Sequence, residues 1–340
     1  MFSLPRFRLN ALAIGAAAAL ILSGCGESAG SDAGTDDVTG ADDTATGAGT
    51  DDTTSDNGGD SAGGTITITG VPAEEASALV SKFELLMHVI EEETGMEVEF
   101  SHSTDYAAVI EALVAGQADM SIGSPFSYVR AGDQGAAVEA LGGRIENEGD
   151  EPGYVSYALV PADSDIESLD DVRGQTVCYV DEGSTSGYLY PSAGMLDHDM
   201  EPQEDVTALF TGSHDSAVLA MLDGQCELAF AYDSMVEVLM PNRGELSPED
   251  YKVVWTSPLI PASPIYMNTG TLSEETQDTL RRIFHDDRLI NVDNLVAAGY
   301  CDSVEECILP EDSYEYAPVD DSTYDGIREV CELTQASACS

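Results

Sequence analysis

Residues 106–120 of the chain read YAAVIEALVAGQADM, and residues 214–228, which lie 108 positions later, read HDSAVLAMLDGQCEL. Each copy combines an apolar helical pattern, a Gly-Gln pair that ends the helix, and an acidic residue before an apolar strand. The repeat predicts that one helix–strand unit occurs in each half of an α/β chain built from two similar lobes. A chance likeness between two helix–glycine–strand units is the alternative interpretation.

Tyr106 and His214 open the two copies. If the repeat reflects two related lobes, each residue lies at a helix N-terminus beside the carboxyl end of a strand. Open α/β sheets bind their ligands at such places. We therefore expect the two side chains to face each other across a cleft between the lobes.

The residues before the first copy also predict strands that alternate with helices. Residues 65–69, TITIT, and residues 96–100, MEVEF, alternate as half-buried strands. Between them, an apolar stripe at helical spacing ends at Gly95 and consists of Leu79, Phe83, Leu86 and Ile90. A helix from Asp105 to Leu113 and a strand at 120–122 follow. This alternation predicts parallel sheets.

The composition fits two folded lobes with a very acidic surface. The 340 residues are 43% hydrophobic, and 64 acidic side chains face only 12 lysines and arginines, for a net charge of −52. Such a surface excludes binding to nucleic acid and to anionic lipid headgroups. The charge indicates adaptation to a saline environment. An acidic tail is the alternative, but the acidic residues run through the whole chain.

The N-terminus is typical of an exported lipoprotein. Arg6 and Arg8 precede an apolar stretch at 11–22, and residues 22–25, LSGC, resemble a bacterial lipobox. We expect residues 1–24 to be a lipoprotein signal peptide and Cys25 to carry the lipid anchor; a chance small-residue match before a lone cysteine is the alternative. Residues 25–64 have almost no large apolar side chain, which predicts a disordered acidic linker.

The remaining cysteines number six, an even count that favours disulfides outside the cytosol. Close spacing favours Cys301–Cys307 and Cys331–Cys339, which leaves Cys178 with Cys226. A metal site is the weaker interpretation, because the chain has no CxxC motif and no histidine in its C-terminal cysteine cluster.

Residues 180–188, VDEGSTSGY, contain the strongest chemical signal. They follow an apolar strand at 176–180 and place Ser184, Thr185 and Ser186 between two glycines at the start of a helix. Free backbone N–H groups and the helix dipole favour anions at such a site, and the hydroxyls add neutral donors. The segment predicts an oxyanion cradle. An ordinary Ser/Thr helix cap is the alternative.

Together with GSHD at 212–215 and FAYD at 230–233, the GSTSGY segment at 183–188 resembles the phosphate/phosphite/phosphonate-binding proteins of ABC importers. The similarity runs from about Thr65 to Gly270 and includes GSPFSY at 123–128. The resemblance implies an α/β, two-lobed type II periplasmic-binding-protein fold with a hinge and an interlobe ligand cleft.

The implied division of the chain follows from that fold. Lobe 1 would comprise residues 65–158 and 262–320, and lobe 2 residues 159–261. Residues 321–340 would form a C-terminal disulfide-bearing tail.

The resemblance also implies a set of ligand-binding residues, namely Tyr106, Ser127 and Tyr128 from lobe 1 and Ser184, Thr185, Ser186, His214 and Asp233 from lobe 2. Ser263 stands about where aminoalkylphosphonate binders of the family can have a second acid. This departure favours phosphate, phosphite or a simple phosphonate. A structural role remains an alternative for His214, and core packing for Tyr128.

Anion binding by so acidic a chain requires an explanation. We expect neutral donors to act over a few ångströms, where salt screens the distant negative charges. Our hypothesis for Asp233 is that it accepts a P–OH proton and so distinguishes phosphate from sulfate.

The implied function is capture of a phosphorus oxyanion by an extracytoplasmic, lipid-anchored monomer that delivers it to the permease and ATPase subunits of an ABC importer. No cofactor or metal is expected. A sensor of the same fold is one alternative. A hydrolase using Ser186, His214 and Asp233 is another, although residues 183–187 put Thr185 where a G-x-S-x-G elbow needs serine, and the residue order also differs.

Overall fold

The computed structural model describes residues 64–73 and 76–339. The predicted signal peptide, Cys25 and the linker up to residue 63 lie outside this range. Within it, no helix is both long enough and apolar enough to cross a bilayer.

The described chain alternates strands with helices. The strands are β1 Thr65–Gly70, β2 Glu97–His102, β3 Met120–Ile122, β4 Val138–Ile145, β5 Gly153–Tyr154, β6 Ser156–Pro161, β7 Thr176–Tyr179, β8 Thr207–Phe210, β9 Leu228–Tyr232, β10 Tyr251–Thr256, β11 Ile260–Pro261, β12 Pro264–Asn268 and β13 Glu315–Pro318. The helices are α1 Ala76–Thr94, α2 Tyr106–Val114, α3 Pro125–Asp133, α4 Tyr190–Asp197, α5 His214–Leu222, α6 Met240–Arg243, α7 Glu274–Arg281, α8 Val292–Ala298 and α9 Asp325–Thr334. Single π-helical turns at Thr185–Leu189, Met235–Leu239 and Arg282–Asp286 adjoin α4, α6 and α7.

Two separate sheets confirm the two-lobed α/β fold. The first has the order β13-β4-β12-β3-β1-β2 and the second the order β10-β6-β9-β7-β8. The run β12-β3-β1-β2 in one sheet matches β6-β9-β7-β8 in the other, both in order and in the sense of each pairing. The repeat in the sequence therefore reflects one unit used twice.

The expectation of parallel sheets was only partly right, because β12 runs antiparallel to β3 and β6 runs antiparallel to β9. The reason is topological. Strands β3 and β9 end at the cleft, whereas β6 and β12 enter their sheets from the cleft after the chain has crossed between lobes. A strand that arrives from the cleft must run away from it.

The two copies of the repeat have matching ends. Asp105 caps α2 by accepting a bond from the Ala108 N–H, and Ser213 caps α5 through the Ser216 N–H. Gly116 and Gly224 follow the two helices with φ of 66° and 74°, a left-handed conformation that favours glycine.

The chain crosses between the sheets twice, and the crossings pair with each other. Strand β5 pairs antiparallel with β11, with Tyr154 opposite Ile260. Strand β6 already belongs to the second sheet from Ser156, three residues before the expected start of lobe 2 at residue 159. The paired crossings form the connection about which the lobes can hinge.

Apolar side chains on the strands build the lobe cores. Ile66 and Ile68 of β1 are buried in the first lobe, and Val177 and Phe230 are buried in the second. A further cluster extends from α2 and α3 to α5 and β9, so apolar packing continues from one lobe to the other beside the cleft.

All three predicted disulfides are present: Cys178–Cys226, Cys301–Cys307 and Cys331–Cys339. The first bridge joins Cys178 of β7 to Cys226, which lies two residues before β9 begins. Strands β7 and β9 are neighbours in the sheet. The second and third close short loops near the C-terminus.

The C-terminal tail contacts both lobes. The Tyr324 hydroxyl donates to the carbonyl of Ala262 at 3.1 Å, and the Ser337 hydroxyl lies 3.3 Å from a carboxylate oxygen of Glu182. Helix α9 packs against α3 of the first lobe and α4 of the second. The segment therefore lies across the interlobe boundary.

Candidate functional site

A cavity of about 40 Å³ lies between the lobes. A buried water needs about 10–15 Å³ of such space, so the cavity suits a group of a few heavy atoms. Its polar lining consists of Ser124, Arg144, Ser184, Ser186, His214 and Ser263. Its aromatic lining consists of Phe83, Tyr106, Tyr154 and Tyr232, and Val71, Ala73, Ile122 and Gly123 complete the wall.

The hydroxyl segment supplies one wall of this cavity. Ser184 caps the helical segment that begins at Thr185, and its Oγ accepts a bond from the Gly187 N–H at 3.0 Å. The first N–H groups of a helix have no partner within the helix and can bind an anion. The Ser186 carbonyl accepts a 2.6 Å bond from the Ser156 hydroxyl, which fixes that turn against β6. The segment therefore combines hydroxyl and backbone donors on one rigid turn.

Thr185 has a different role from its two neighbours. It is fully buried and is absent from the lining described above, and its Oγ1 accepts a 3.0 Å bond from the backbone N–H of Phe126 in the first lobe. The Ser124 hydroxyl donates to the carbonyl of Gly183 at 3.4 Å. The backbone N–H of His214 donates to the carbonyl of Ala73 at 3.1 Å. These bonds join the lobes on either side of the cavity, so the cleft is closed.

His214 is the first residue of α5 and is 3% exposed. Its Nε2 lies 3.4 Å from the Ser184 Oγ. Its ring packs edge-on against the ring of Tyr232, with 4.7 Å between the ring centroids. Burial lowers the pKa of His214 to about 3, although the nearby Asp215 carboxylate opposes this shift. The imidazole is therefore neutral near pH 7 and offers one donor and one acceptor nitrogen. Within the described residues, Nδ1 has no hydrogen-bond partner.

The lowered pKa of His214 predicts acid sensitivity of the ligand-free protein. The unfolded chain takes up a proton at the ordinary histidine pKa near 6.5, whereas the folded chain does so only near 3. The unfolded state binds more protons between these values, so this group removes stability as the pH falls below about 6.5. We expect the melting temperature of His214→Gln to fall less than that of the wild type between about pH 7 and pH 4. An equal fall in melting temperature for the two proteins over this pH range would contradict the linkage.

Tyr106 lies opposite, as the repeat predicts. It is the first residue of α2 and lines the same cavity as His214. A β-carbon placed on Gly183 would lie 2.6 Å from the Tyr106 Cβ, so these residues of facing lobes are in close contact. Glycine at 183 therefore permits the lobes to approach this closely.

Arg144 changes the account of anion binding. It lies in β4, is 7% exposed and lines the cavity, with its Nη2 3.9 Å from the Glu146 Oε1. The expectation that neutral donors alone face the ligand was therefore incomplete. A guanidinium offers planar donors and a permanent positive charge.

The structure places Ser127 and Tyr128 away from the cavity lining. The Ser127 hydroxyl bonds to that of Ser124 at 2.9 Å, and it is Ser124 that reaches the cavity. The Tyr128 hydroxyl donates to an Asp321 carboxylate oxygen at 3.0 Å, and its ring packs against Tyr266. Because α3 turns this face toward β12 and the C-terminal tail, core packing describes Tyr128 better than ligand contact.

Asp233 also lies outside the lining. One carboxylate oxygen accepts from the Val155 N–H at 3.2 Å and the other from the Ser234 N–H at 2.9 Å. These bonds hold the end of β9 against the crossing between β5 and β6. Burial raises the pKa of Asp233, and the bonds to Ser234 and Val155 and the Arg144 charge oppose the shift. The hypothesis that Asp233 accepts a ligand proton therefore lacks the necessary geometry.

Sequence reasoning missed Ser124, Arg144, Tyr154 and Tyr232 as lining residues. Two of them carried a signal. Ser124 precedes Pro125, a pattern typical of a helix start, and Arg144 interrupts the apolar and glycine residues of β4 in a chain with only 12 lysines and arginines. The two tyrosines lie in or beside buried strands and carry no distinguishing pattern.

Comparison with known proteins agrees with this architecture. The profile of the family described as "ABC transporter, phosphonate, periplasmic substrate-binding protein" matches residues 68–288. The chain is 40% identical over 283 residues to the Phosphate-import protein PhnD of Mycolicibacterium smegmatis, covering 81% of this chain and 87% of that protein. It is 27% identical to the Phosphonates-binding periplasmic protein of Escherichia coli over 63% of each chain.

Solved structures share the fold. A binding protein component of an ABC phosphonate transporter from Pseudomonas aeruginosa has a TM-score of 0.69 and 24% identity, covering 80% of this chain and 87% of that one. A Prochlorococcus marinus protein, PhnD1, solved in complex with methylphosphonate, has a TM-score of 0.68 and 15% identity, covering 80% of this chain and 98% of that one. By its sequence match and its fold, the chain belongs to the periplasmic substrate-binding proteins of phosphonate ABC transporters.

Proposed function

We propose that this protein captures a phosphorus oxyanion, namely phosphate, phosphite or a simple phosphonate, and delivers it to the permease of an ABC importer. The observation that carries the proposal is the convergence of Ser184, Ser186 and His214 from one lobe with Tyr106 and Ser124 from the other on a single small cavity. The name of the Mycolicibacterium relative and the methylphosphonate bound to PhnD1 support this ligand class.

Binding proceeds in two stages. In an open cleft, the oxyanion first meets the hydroxyl and N–H donors of the Ser184–Ser186 turn. Hinging at the crossings then brings Tyr106 and Ser124 over the ligand and forms the bond from the Phe126 N–H to the Thr185 hydroxyl. Closure excludes water, which strengthens every polar contact inside. The closed surface is the form that the permease and ATPase subunits of the importer act upon.

The anchor and the assembly state complete the proposal. Lipidation at Cys25 would tether the folded lobes to the membrane through the acidic linker, and a single copy of the chain contains every residue of the cavity. The protein would act outside the cytoplasm as a monomer.

A hydrolytic function receives no support from the geometry. In a Ser–His–Asp relay, a carboxylate orients the imidazole and the serine contacts it. The His214 Nδ1 has no hydrogen-bond partner within the described residues, and its low pKa makes the ring a weak base. Signalling by a sensor of the same fold would use the same cavity, and growth on the ligand with and without the gene distinguishes import from sensing.

The proposal is tested by calorimetric titration of the protein with phosphate, phosphite, methylphosphonate and sulfate. We expect at least one phosphorus oxyanion to bind. Ser186→Ala should then lose about tenfold in affinity or more, because a hydrogen bond to a charged group contributes about 1.5–3 kcal/mol.

Ser192→Ala is the matched control. Ser192 is a buried serine of the following helix whose hydroxyl donates to the Tyr188 carbonyl outside the cavity, so this variant should bind as the wild type does. Absence of binding by every phosphorus oxyanion would overturn the proposed function.

A further inference from the structure

We propose that Arg144 selects the ligand by charge, so that the cavity prefers dianionic oxyanions without an amine over monoanions and zwitterions of the same shape. This inference rests on the proposed function and specifies its substrate class.

The position of Arg144 is fixed by the backbone. It is the penultimate residue of β4, paired with Tyr316 of β13, and its N–H donates to the Ser263 carbonyl at 3.1 Å. Arg144 therefore lies where the chain leaves the first sheet after β4 and returns to it at β12. Its side chain reaches the cavity from the hinge and not from α2 or α5, the helices that face each other across the cavity.

The formal charge in the described cavity lining is positive only. Among the lining residues that the structure describes, Arg144 is the one that carries a formal charge near pH 7, because His214 is neutral and no carboxylate is present. A buried cation attracts a ligand with two negative charges about twice as strongly as one with a single charge at the same distance. Within the described lining, an ammonium group on the ligand has no acid to pair with, and the guanidinium repels it.

A structural role for Arg144 is the competing explanation. Its guanidinium lies near Glu146 and its charge acts on Asp233, and burial raises the pKa of both acids. Arg144 could simply compensate these buried carboxylates at the hinge. A structural role would weaken all ligands alike when Arg144 is replaced, whereas charge selection would weaken dianions most.

Methylphosphonate and methanesulfonate separate the two explanations. They have nearly the same size and tetrahedral shape, but in mildly alkaline buffer the phosphonate carries two negative charges and the sulfonate one. We expect the wild type to bind methylphosphonate at least about 100-fold more tightly. In Arg144→Gln, the affinity for methylphosphonate should fall about 100-fold and the preference over methanesulfonate should shrink to about tenfold or less.

Two further variants keep the result interpretable. Arg144→Lys retains the charge and should retain most of the preference. Arg130→Gln removes another buried arginine, on α3, which donates to the Cys339 carbonyl outside the cavity and should leave the preference unchanged.

The outcomes separate the inference from the proposed function. If the wild type binds no phosphorus oxyanion, the proposed function is wrong. If the wild type binds methylphosphonate without preferring it to methanesulfonate, the inference is wrong while the proposed function stands, and this holds even if Arg144→Gln does not fold. An equal loss for both ligands in Arg144→Gln would assign Arg144 a structural role instead.

Discussion

Replacing Gly183 with alanine is expected to weaken ligand affinity by about 100-fold or more while leaving the unliganded protein folded. The added β-carbon would lie 2.6 Å from the Tyr106 Cβ and 3.2 Å from a carboxylate oxygen of Asp181. The first contact exists only when the lobes are closed, because Tyr106 belongs to the facing lobe. Affinity is reduced by the fraction of molecules that can still close, so a closed-state clash acts directly on the dissociation constant.

The measurements are calorimetric affinity and small-angle scattering with and without ligand. The wild type should become more compact on binding, whereas Gly183→Ala should remain open at ligand concentrations that saturate the wild type. Gly132→Ala is the control, since its nearest contact is the Val138 Cγ2 at an ordinary 3.6 Å. Wild-type affinity in Gly183→Ala would show that closure does not require the contact between residue 183 and Tyr106.

Removing the Cys178–Cys226 disulfide is expected to cause the largest loss of stability among the three bridges. Its cysteines are separated by 48 residues, so the loop-entropy relation gives a loss of about 4 kcal/mol in the free energy of unfolding. Both residues are buried in the second lobe, so alanine replacements add a cavity cost. For Cys301–Cys307, with a separation of 6, the same relation gives about 2 kcal/mol.

Denaturant unfolding of two double variants tests this ranking. Cys178→Ala with Cys226→Ala should show a lower midpoint than Cys301→Ala with Cys307→Ala. The reverse order would mean that the bridges do not act mainly by restricting the unfolded chain.

Several elements of this fold were predictable because their causes are local. The caps Asp105 and Ser213, the left-handed glycines at 116 and 224 and the helical stripes depend on neighbours within a few residues. The disulfide pairing followed from short spacing for two bridges, and the third followed from the remaining pair. The repeat 108 residues apart was readable because both copies meet the same local requirements.

The residues that line the cavity were only partly predictable. Ser184, Ser186, Tyr106 and His214 sit at helix starts after strands, a position that the sequence marks. Thr185 belongs to the same motif, yet its hydroxyl is directed to Phe126 of the other lobe. Successive side chains of a helical turn point in different directions around its axis, so neighbouring residues of one motif can contact different partners.

The sequence alone indicated the two-lobed α/β architecture, the helix start that carries Ser184 to Ser186 and the pairing of cysteines, because each depends on local backbone preferences or on spacing along the chain. Tertiary structure alone decided that Arg144 reaches the cavity from the hinge, that Tyr128 and Asp233 lie outside its lining, and that six of the ten strand pairings are antiparallel. These outcomes depend on how distant segments cross between lobes. The direction of a crossing strand, and therefore what its side chains face, is set by contacts that neighbouring residues do not encode.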